Sequence, residues 1–204
     1  MSQLRRIVLV RHGETVGDSS IRFHGSSDLA LSEEGRAQMR GAAFALRQET
    51  FDLVLASPLQ RSWESARIVS GGAPARLDAG LREVHFGCWE GLTAREIEAA
   101  DPVLYADWQA RAPGFEYPSG EARADFAARV LEALERVEHS GATRVLLVVH
   151  KGVIRVIAEK LLGAPLPEGE PALGGIVGLG RAADGSWFVG RRGSNPAALD
   201  ETAA

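Results

Sequence analysis

Three polar clusters follow three apolar runs of the chain, each just past the point where the run ends. The runs cover Ile7–Val10, Leu53–Ala56 and Val145–Val149, and the polar residues that follow them include Arg11, His12, Arg61 and His150. Short apolar runs rich in β-branched residues are typical of buried strands. Because ligands of open α/β sheets bind beyond the carboxyl ends of the strands, we expect these side chains to converge if the three strands are parallel neighbours.

Two arginines and two histidines in one place are suited to phosphoryl transfer. Guanidinium groups match the oxygens of a phosphoryl group, and a neutral imidazole nitrogen can attack phosphorus. A second imidazole can stabilise the charge that spreads over the equatorial oxygens. Since arginine supplies the positive charge and the sequence has no His-Glu-x-x-His or Asp-rich metal loop, we predict neither a metal nor a cofactor.

The histidines of the sequence differ in what surrounds them. His12 and Arg11 interrupt the chain directly after a predicted buried strand, and Gly13 then lets the backbone approach a ligand closely. A catalytic role is therefore favoured for His12 and for His150. The remaining histidines, for which we expect structural or surface roles, are His24, His85 and His139.

The elements that position these residues alternate between strand and helix. Three helices are predicted: one after an N-cap at Ser32, one after an N-cap at Ser119 that buries Phe126 and Val130, and one over Val153–Leu162. Such alternation indicates helices packed on a mainly parallel sheet.

Nearer the C-terminus the pattern changes. Asp184-Gly185 separates the β-rich runs Gly175–Gly180 and Trp187–Val189, which predicts a hairpin at the edge of the sheet. The predicted fold class is therefore α/β, a three-layer α/β/α arrangement with a mainly parallel central sheet and an antiparallel C-terminal edge. With 204 residues, one domain over 1–204 is expected.

The segment at about 93–118 is predicted to be a lid-like insertion in that domain. It is helix-prone at first and then rich in proline, glycine and aromatic residues. A helical pair packed on the edge of the sheet is an equally good interpretation of this pattern.

Composition excludes several classes of protein. The formal net charge of −4 excludes a strongly basic nucleic-acid binder, and a single cysteine, Cys88, excludes an intramolecular disulfide and a cysteine-based metal cage. The apolar runs are too short for a membrane span or a secretory leader. We therefore expect a cytoplasmic protein that binds a small phosphorylated substrate and neither nucleic acid nor membrane; the sequence does not predict its oligomeric state.

Four motifs of the chain resemble those of the histidine phosphatases, the phosphoglycerate-mutase-like superfamily, in the same order along the chain. They cover Arg11–Thr15, Ser57–Arg61, Leu81–Gly91 and His150–Arg155. One Arg-His-Gly tripeptide is weak support, but four motifs in the family's order are specific. The resemblance extends from about Ile7 to the hairpin near Trp187.

The resemblance implies a role for each matching residue. His12 would be the nucleophile that becomes phosphohistidine, and Arg11, Arg61 and His150 would line the phosphate pocket. Glu83 would be the general acid that protonates the leaving oxygen and then the base that activates water.

Further residues are assigned to substrate binding, and two positions depart from the family pattern. Thr15 and Arg22 are expected to contact substrate. Asp18 stands where the family's mutases usually have an asparagine, so a mutase-like phosphate contact is not expected there. Lys151 stands where a small residue is more usual, and it either binds a second anionic group of the substrate or points to solvent.

The predicted function is a metal-independent phosphomonoesterase that acts on a small phosphorylated metabolite through a phosphohistidine intermediate. Within the family, the short stretch between Gly91 and Tyr117 resembles the phosphatase branch rather than the mutases. Two alternatives remain: phosphoglycerate-mutase-type phosphoryl transfer, and a protein that binds phosphorylated ligands without turnover.

Overall fold

The three apolar runs form strands of one sheet, and the order of its strands determines where the polar clusters lie. The computed structural model describes residues 3–167 and 170–190. The strands are β1 (Arg6–Arg11), β2 (Leu53–Ala56), β3 (Arg76–Leu77), β4 (Arg144–Val149), β5 (Ile176–Arg181) and β6 (Trp187–Gly190). Their order is β3-β2-β4-β1-β5-β6, with β1 to β4 parallel and with β5 and β6 antiparallel to their neighbours. The three predicted strands are therefore parallel neighbours, and the C-terminal hairpin is confirmed.

Helices cover both faces of this sheet. In chain order they are α1 (Glu33–Leu46), α2 (Gln60–Val69), α3 (Ala94–Ala100), α4 (Pro102–Gln109), α5 (Arg123–Glu138) and α6 (Lys151–Leu162). Val8 and Val10 of β1 pack with residues of α1 and α2, whereas Ile7 and Leu9 pack with residues of α5 and α6. This alternation follows from the two-residue period of a strand. The predicted three-layer α/β/α fold is confirmed.

Two of the predicted helix boundaries agree with the structure. Ser32 caps α1, where its side chain accepts the N–H of Gly35 at 3.0 Å. α6 begins at Lys151, two residues before its predicted start, and His150 is its N-cap. It ends at Gly163, whose φ of 69° lies in the left-handed region that glycine adopts readily.

The N-cap predicted at Ser119 is wrong. Ser119 lies in a turn with φ of 55°, and α5 begins four residues later, at Arg123. The side chain of Glu116 accepts the N–H of Arg123 at 2.8 Å and so satisfies one of the free amides at the start of the helix. The apolar face predicted for this helix is correct, because Phe126 and Val130 are buried.

The segment 93–118 forms the helical pair α3 and α4. Thr93 and Glu96 make a reciprocal capping box at the start of α3, and Asp101 caps α4. The pair packs on a group of rings outside the sheet, the aromatic cluster, which consists of Phe23, Phe86, Trp89, Tyr105, Trp108, Phe115 and Tyr117. Every residue of the cluster lies outside the strands. That the segment acts as a lid within one domain stays a prediction.

The helices of the described residues were also compared with the requirements of a membrane span. Within 3–167 and 170–190, none combines the length and the apolar composition that crossing a bilayer needs.

Candidate active site

The two histidines predicted to act together lie side by side at the carboxyl ends of adjacent strands. Arg11 and Val149, the last residues of β1 and β4, are partners in the β1–β4 register. His12 and His150 are therefore the first residues after these two strands. Their ring centroids are 5.1 Å apart, with an interplanar angle of 64°. His12 is 4% exposed and His150 is fully buried, so water does not hydrate these rings freely.

Hydrogen bonds set the tautomer of His12. Its Nδ1 lies 2.7 Å from the carbonyl oxygen of Gly13, which can only accept, so Nδ1 carries the proton. Nε2 then holds a lone pair, and it accepts the Nε–H of Arg61 at 3.2 Å. Burial, and then the charge of Arg61, lower the pKa of His12 well below its ordinary value. The neutral imidazole, with its lone pair on Nε2, is the form that can attack phosphorus.

Backbone carbonyls hold the guanidinium of Arg61. Nη1 donates to the carbonyl of Ser27 at 2.6 Å, and Nη2 donates to those of His24 at 3.1 Å and Gly25 at 2.7 Å. The side chain is fully buried, at the start of α2. Arg61 is therefore fixed beside His12 by three acceptors from one loop.

Glu90 fixes that loop. Its carboxylate accepts the backbone N–H of Gly25 at 3.2 Å and of Ser26 at 2.9 Å, and also the hydroxyl of Ser27 at 2.6 Å. Burial opposes ionisation of Glu90, but these hydrogen bonds outweigh it and lower its pKa. Sequence reasoning placed Glu90 in a motif without giving it a role.

His150 and Arg11 contain buried polar atoms that have no hydrogen-bond partner. Both ring nitrogens of His150 and Nε of Arg11 are in this state. Burial, followed by the charges of Arg61 and His12, lowers the pKa of His150 well below its ordinary value. Buried polar groups are normally paired, so unpaired donors beside a nucleophile are suited to receive the oxygens of a ligand.

Glu83 is the carboxylate of the site. It is 8% exposed, and its oxygens accept the backbone N–H groups of Val84 and Gly152, each at 3.0 Å. A Cβ at position 152 would collide with Oε1 of Glu83, so only glycine allows this approach. Two amides therefore orient Glu83 between its own loop and the first turn of α6.

The site opens into a cavity of about 1570 Å³. Of the predicted site residues, Arg11, His12, Arg22, Glu83 and Lys151 line it. Arg61 and His150 are completely buried, Arg61 in hydrogen-bond contact with His12 and His150 in ring contact with it. We call Arg11, His12, Arg61 and His150 the histidine–arginine cluster.

Thr15 is not brought to the cavity surface. It is 1% exposed, and its hydroxyl pairs with that of Ser19 at 2.7 Å. Ser19 and Ser20 line the cavity instead. Asp18 is exposed, and its φ of 58° lies in the left-handed region. Aspartate tolerates this conformation better than most residues, so the backbone conformation explains why an aspartate is suitable at this position.

Much of the remaining cavity wall comes from two parts of the chain, which together we call the outer wall. One is segment 93–117, including Arg95, Tyr105, Trp108, Arg111 and Phe115; the other is α6, with Lys151, Gly152, Arg155, Val156 and Glu159. The sequence predicts a lid-like segment here and a binding role for Lys151, but it does not predict which other residues contact the cavity, because that contact depends on how distant segments pack. Arg22 lies at the edge, where it donates to the carbonyl of Gly91 at 2.7 Å.

His24, for which the sequence predicts a structural or surface role, also lines the cavity. Its Nε2 is 2.6 Å from the carbonyl oxygen of Gly17, and its buried Nδ1 has no partner. Within 3–167 and 170–190, no group of three or more histidine, cysteine or acidic side chains is arranged to hold a metal ion.

Known proteins are similar to this chain in both sequence and fold. The family model of the histidine phosphatase superfamily, branch 1, matches residues 7–176. A glucosyl-3-phosphoglycerate phosphatase of Mycolicibacterium vanbaalenii is 34% identical over 184 residues, which cover 85% of this chain and 81% of the relative. An adenosylcobalamin/alpha-ribazole phosphatase of Salmonella typhimurium is 34% identical over 167 residues, 78% of this chain and 81% of the relative. The structure of a mycobacterial glucosyl-3-phosphoglycerate phosphatase in complex with VO3 has a TM-score of 0.73 and 33% identity, and covers 94% of this chain and 100% of its own.

Proposed function

Since the chain belongs to branch 1 of the histidine phosphatase superfamily and is a phosphatase, we propose that His12 is its nucleophile and that it hydrolyses small phosphorylated metabolites without a metal. The observation that carries this assignment is the 2.7 Å contact between Nδ1 of His12 and the carbonyl oxygen of Gly13, from which the tautomer follows. The carbonyl of Gly13 holds the proton on Nδ1, which leaves the lone pair of Nε2 beside the donors of the histidine–arginine cluster.

The first half of the reaction forms a phosphohistidine. Nε2 of His12 attacks phosphorus, the N–P bond forms, and the P–O bond to the leaving group breaks. The Nε–H of Arg61, which donates to Nε2 in the free protein, moves to a phosphoryl oxygen. The free Nε–H of Arg11 and a ring N–H of His150 donate to the other oxygens, so that charge on the phosphoryl group is neutralised without a metal ion.

Glu83 transfers the protons in both halves of the reaction. Its protonated carboxyl gives a proton to the departing alkoxide, and the alcohol leaves. The resulting carboxylate then takes a proton from a water molecule, whose oxygen attacks phosphorus while the N–P bond breaks. Inorganic phosphate is released, and Nε2 of His12 regains its lone pair.

The substrate class is proposed only broadly. The relatives are named for glucosyl-3-phosphoglycerate and alpha-ribazole, and the organic part of each named compound is much larger than a phosphate. A cavity of about 1570 Å³ has room for a leaving group of that size beside the histidine–arginine cluster. Action in the cytoplasm stays a prediction, and the formal charge of −4 supports only the expectation that neither nucleic acid nor an anionic membrane is a partner.

The test is to trap the intermediate. The purified protein is mixed with a ³²P-labelled aryl phosphate in the presence of a chelator and quenched in base within milliseconds. We expect protein-bound label that survives base, is released by acid, and maps to the peptide containing His12. His12→Ala should carry no label, while His139→Ala, at an exposed histidine far along the chain, should carry as much as the parent.

Two results would contradict the proposal. One is label on another residue, and the other is activity that is lost to the chelator and restored only by added metal. Transfer of the label to an added phosphate ester rather than to water would favour the mutase-type alternative.

A further inference from the structure

The first two turns of α6 extend the positive charge of the histidine–arginine cluster along the outer wall. Lys151 and Arg155 are four residues apart, and both line the cavity. On a helix this spacing places two side chains on one face, about 6 Å apart along the axis. The helix starts at Lys151, directly after His150, so this face begins where the cluster ends.

Neither of these cations forms an ion pair within the described part of the chain, although the carboxylate of Glu159 lines the same cavity. No carboxylate there lies within ion-pair distance of Lys151 or Arg155, and Nη2 of Arg155 is buried without any hydrogen-bond partner. Burial lowers the pKa of Lys151, and the charges of Arg11 and Arg155 lower it further, while Glu170 and Glu83 offset only part of this effect. Cations crowded together in this way favour binding of an anion between them.

The position of Glu83 indicates that this anion would be part of the leaving group of the substrate. Glu83 accepts the N–H of Gly152, in the first turn of α6, at 3.0 Å. A leaving-group oxygen within reach of Glu83 therefore starts beside this turn. The rest of the leaving group then enters the cavity next to Lys151, and one turn further on it reaches Arg155.

We propose that Lys151 and Arg155 form a subsite for a second anion, so that the preferred substrates are phosphate monoesters whose leaving group carries a carboxylate or a second phosphate. This inference rests on the proposed function, because it takes the histidine–arginine cluster as the place of the transferred phosphoryl group. The unpartnered Nη2 of Arg155 and the ammonium of Lys151 bind the second anion by charge-assisted hydrogen bonds.

The experiment compares matched substrates that differ in one charge. ω-Carboxyalkyl phosphates of increasing chain length are compared with the isosteric ω-carbamoylalkyl phosphates, and alkane bisphosphates form a parallel arm that distinguishes carboxylate from phosphate. At the chain length that spans both sites, we expect at least about a tenfold higher kcat/KM for the ω-carboxyalkyl phosphate than for the matching amide, mainly through KM. Tenfold corresponds to about 1.4 kcal/mol.

Variants locate the source of this preference. Lys151→Met and Arg155→Met keep an aliphatic stem of similar length, and each should remove most of the anion preference. Lys160→Met, at an exposed lysine of the same helix, should keep it, as should Arg95→Met, which removes a cation from another part of the outer wall. Melting temperatures of all four variants confirm that they fold.

Three results would overturn the subsite. The first is the absence of an anion preference at every chain length in both arms, and the second is a preference that survives both α6 substitutions. The third is an equal loss of preference in Arg95→Met, which would indicate that the overall positive potential of the cavity attracts the anion. Calorimetric Kd values of the corresponding phosphonates, which are not hydrolysed, give the same comparison without turnover. If the amides are hydrolysed through labelled His12 but show no disadvantage, the proposed function stands and the subsite fails. If no label appears on His12, the proposed function itself fails.

Discussion

The histidine–arginine cluster and the outer wall line one cavity but are held in place by different forces. In the cluster, backbone groups fix His12 and Arg61: the carbonyl of Gly13 orients His12, and three carbonyls of one loop orient Arg61. In the outer wall, aromatic rings of segment 93–117 pack edge to face, as Trp108 does on Phe23 at 5.2 Å. Directional bonds fix the chemistry, while apolar packing shapes the space for the leaving group. Substitutions in the two regions should therefore have different kinetic signatures.

The largest effect is expected at His12. His12→Ala removes the atom that forms the covalent intermediate, so kcat should fall on the order of 10⁴-fold or more, as with the loss of a nucleophile in other covalent mechanisms. His139→Ala serves as the matched control. Steady-state assays with an aryl phosphate measure the change, and a kcat within tenfold of the parent would show that another residue is the nucleophile.

Arg61→Lys should have the next largest effect. A lysine cannot reproduce the planar donors that bond Nε2 of His12 and three carbonyls at once, so kcat/KM should fall on the order of 10²-fold and vanadate inhibition should weaken in parallel. Arg67→Lys, at an exposed position of the same helix, should change neither. Unchanged inhibition by vanadate in Arg61→Lys would remove Arg61 from the phosphate site.

The histidine–arginine cluster, unlike the outer wall, contains two buried histidines, and these should make the stability of the fold depend on pH. The pKa values of His12 and His150 are depressed in the folded protein, so the unfolded chain binds protons first as the pH falls. Stability should therefore be fully present above the unfolded pKa near 6.5 and decrease below it, by up to about 1.4 kcal/mol per pH unit for each histidine.

Melting temperatures between pH 7.5 and pH 5.5 measure this effect. The window lies above the usual range of carboxylate titration, so the two buried histidines dominate it. Saturating inorganic phosphate should raise the melting temperature, because its oxygens accept the ring N–H of His150, which has no partner in the free protein. A melting temperature independent of pH in this window would mean that the cluster accommodates protonated imidazole.

Glu90→Gln tests whether the cluster depends on its supporting loop. Glu90 does not line the cavity, yet its carboxylate receives the amides of Gly25 and Ser26, whose loop holds Arg61. Replacing an all-acceptor carboxylate with an amide turns a donor towards these N–H groups, and kcat/KM should fall about tenfold.

The readout that separates positioning from general destabilisation is vanadate binding at a temperature well below melting. It should weaken in Glu90→Gln and remain unchanged in Glu33→Gln, at an exposed carboxylate of α1. A lower melting temperature with unaltered vanadate binding would give Glu90 a purely structural role.

The two regions also differ in how much of them the sequence predicts. His12, His150 and Arg61 could be placed together because each follows a short apolar run, and parallel strands align their carboxyl ends. The support of Arg61 by Glu90, by contrast, joins positions 24–27 to position 90 through a loop whose path no local pattern encodes. Contact of Arg155 with the cavity likewise depends on which face α6 turns to the site.

The wrong N-cap at Ser119 has the same cause. Its residue type is a common cap, but the free amide of α5 is satisfied by Glu116, seven residues before Arg123, because the chain turns through Tyr117–Gly120 first. Local propensity describes what a residue can do, and packing decides which of several suitable residues does it.

The smallest effect is expected in the aromatic part of the outer wall. Trp108 is half-buried between Phe23, Trp89 and Tyr105, with ring centroids 5.2 to 6.0 Å away. Trp108→Leu keeps an apolar side chain but removes the ring face. The KM of an aryl phosphate should rise about three- to tenfold, since an aromatic contact contributes roughly 0.5–1.5 kcal/mol beyond its buried area.

Ethyl phosphate provides the control within the same variant. Its leaving group is too small to reach the aromatic cluster, so its kcat/KM should change less than twofold. An equal loss for both esters would mean that Trp108 positions the histidine–arginine cluster rather than the leaving group. The division of the cavity into a region for chemistry and a region for discrimination would then not hold, because discrimination between monoesters must come from contacts beyond the phosphoryl group that they share.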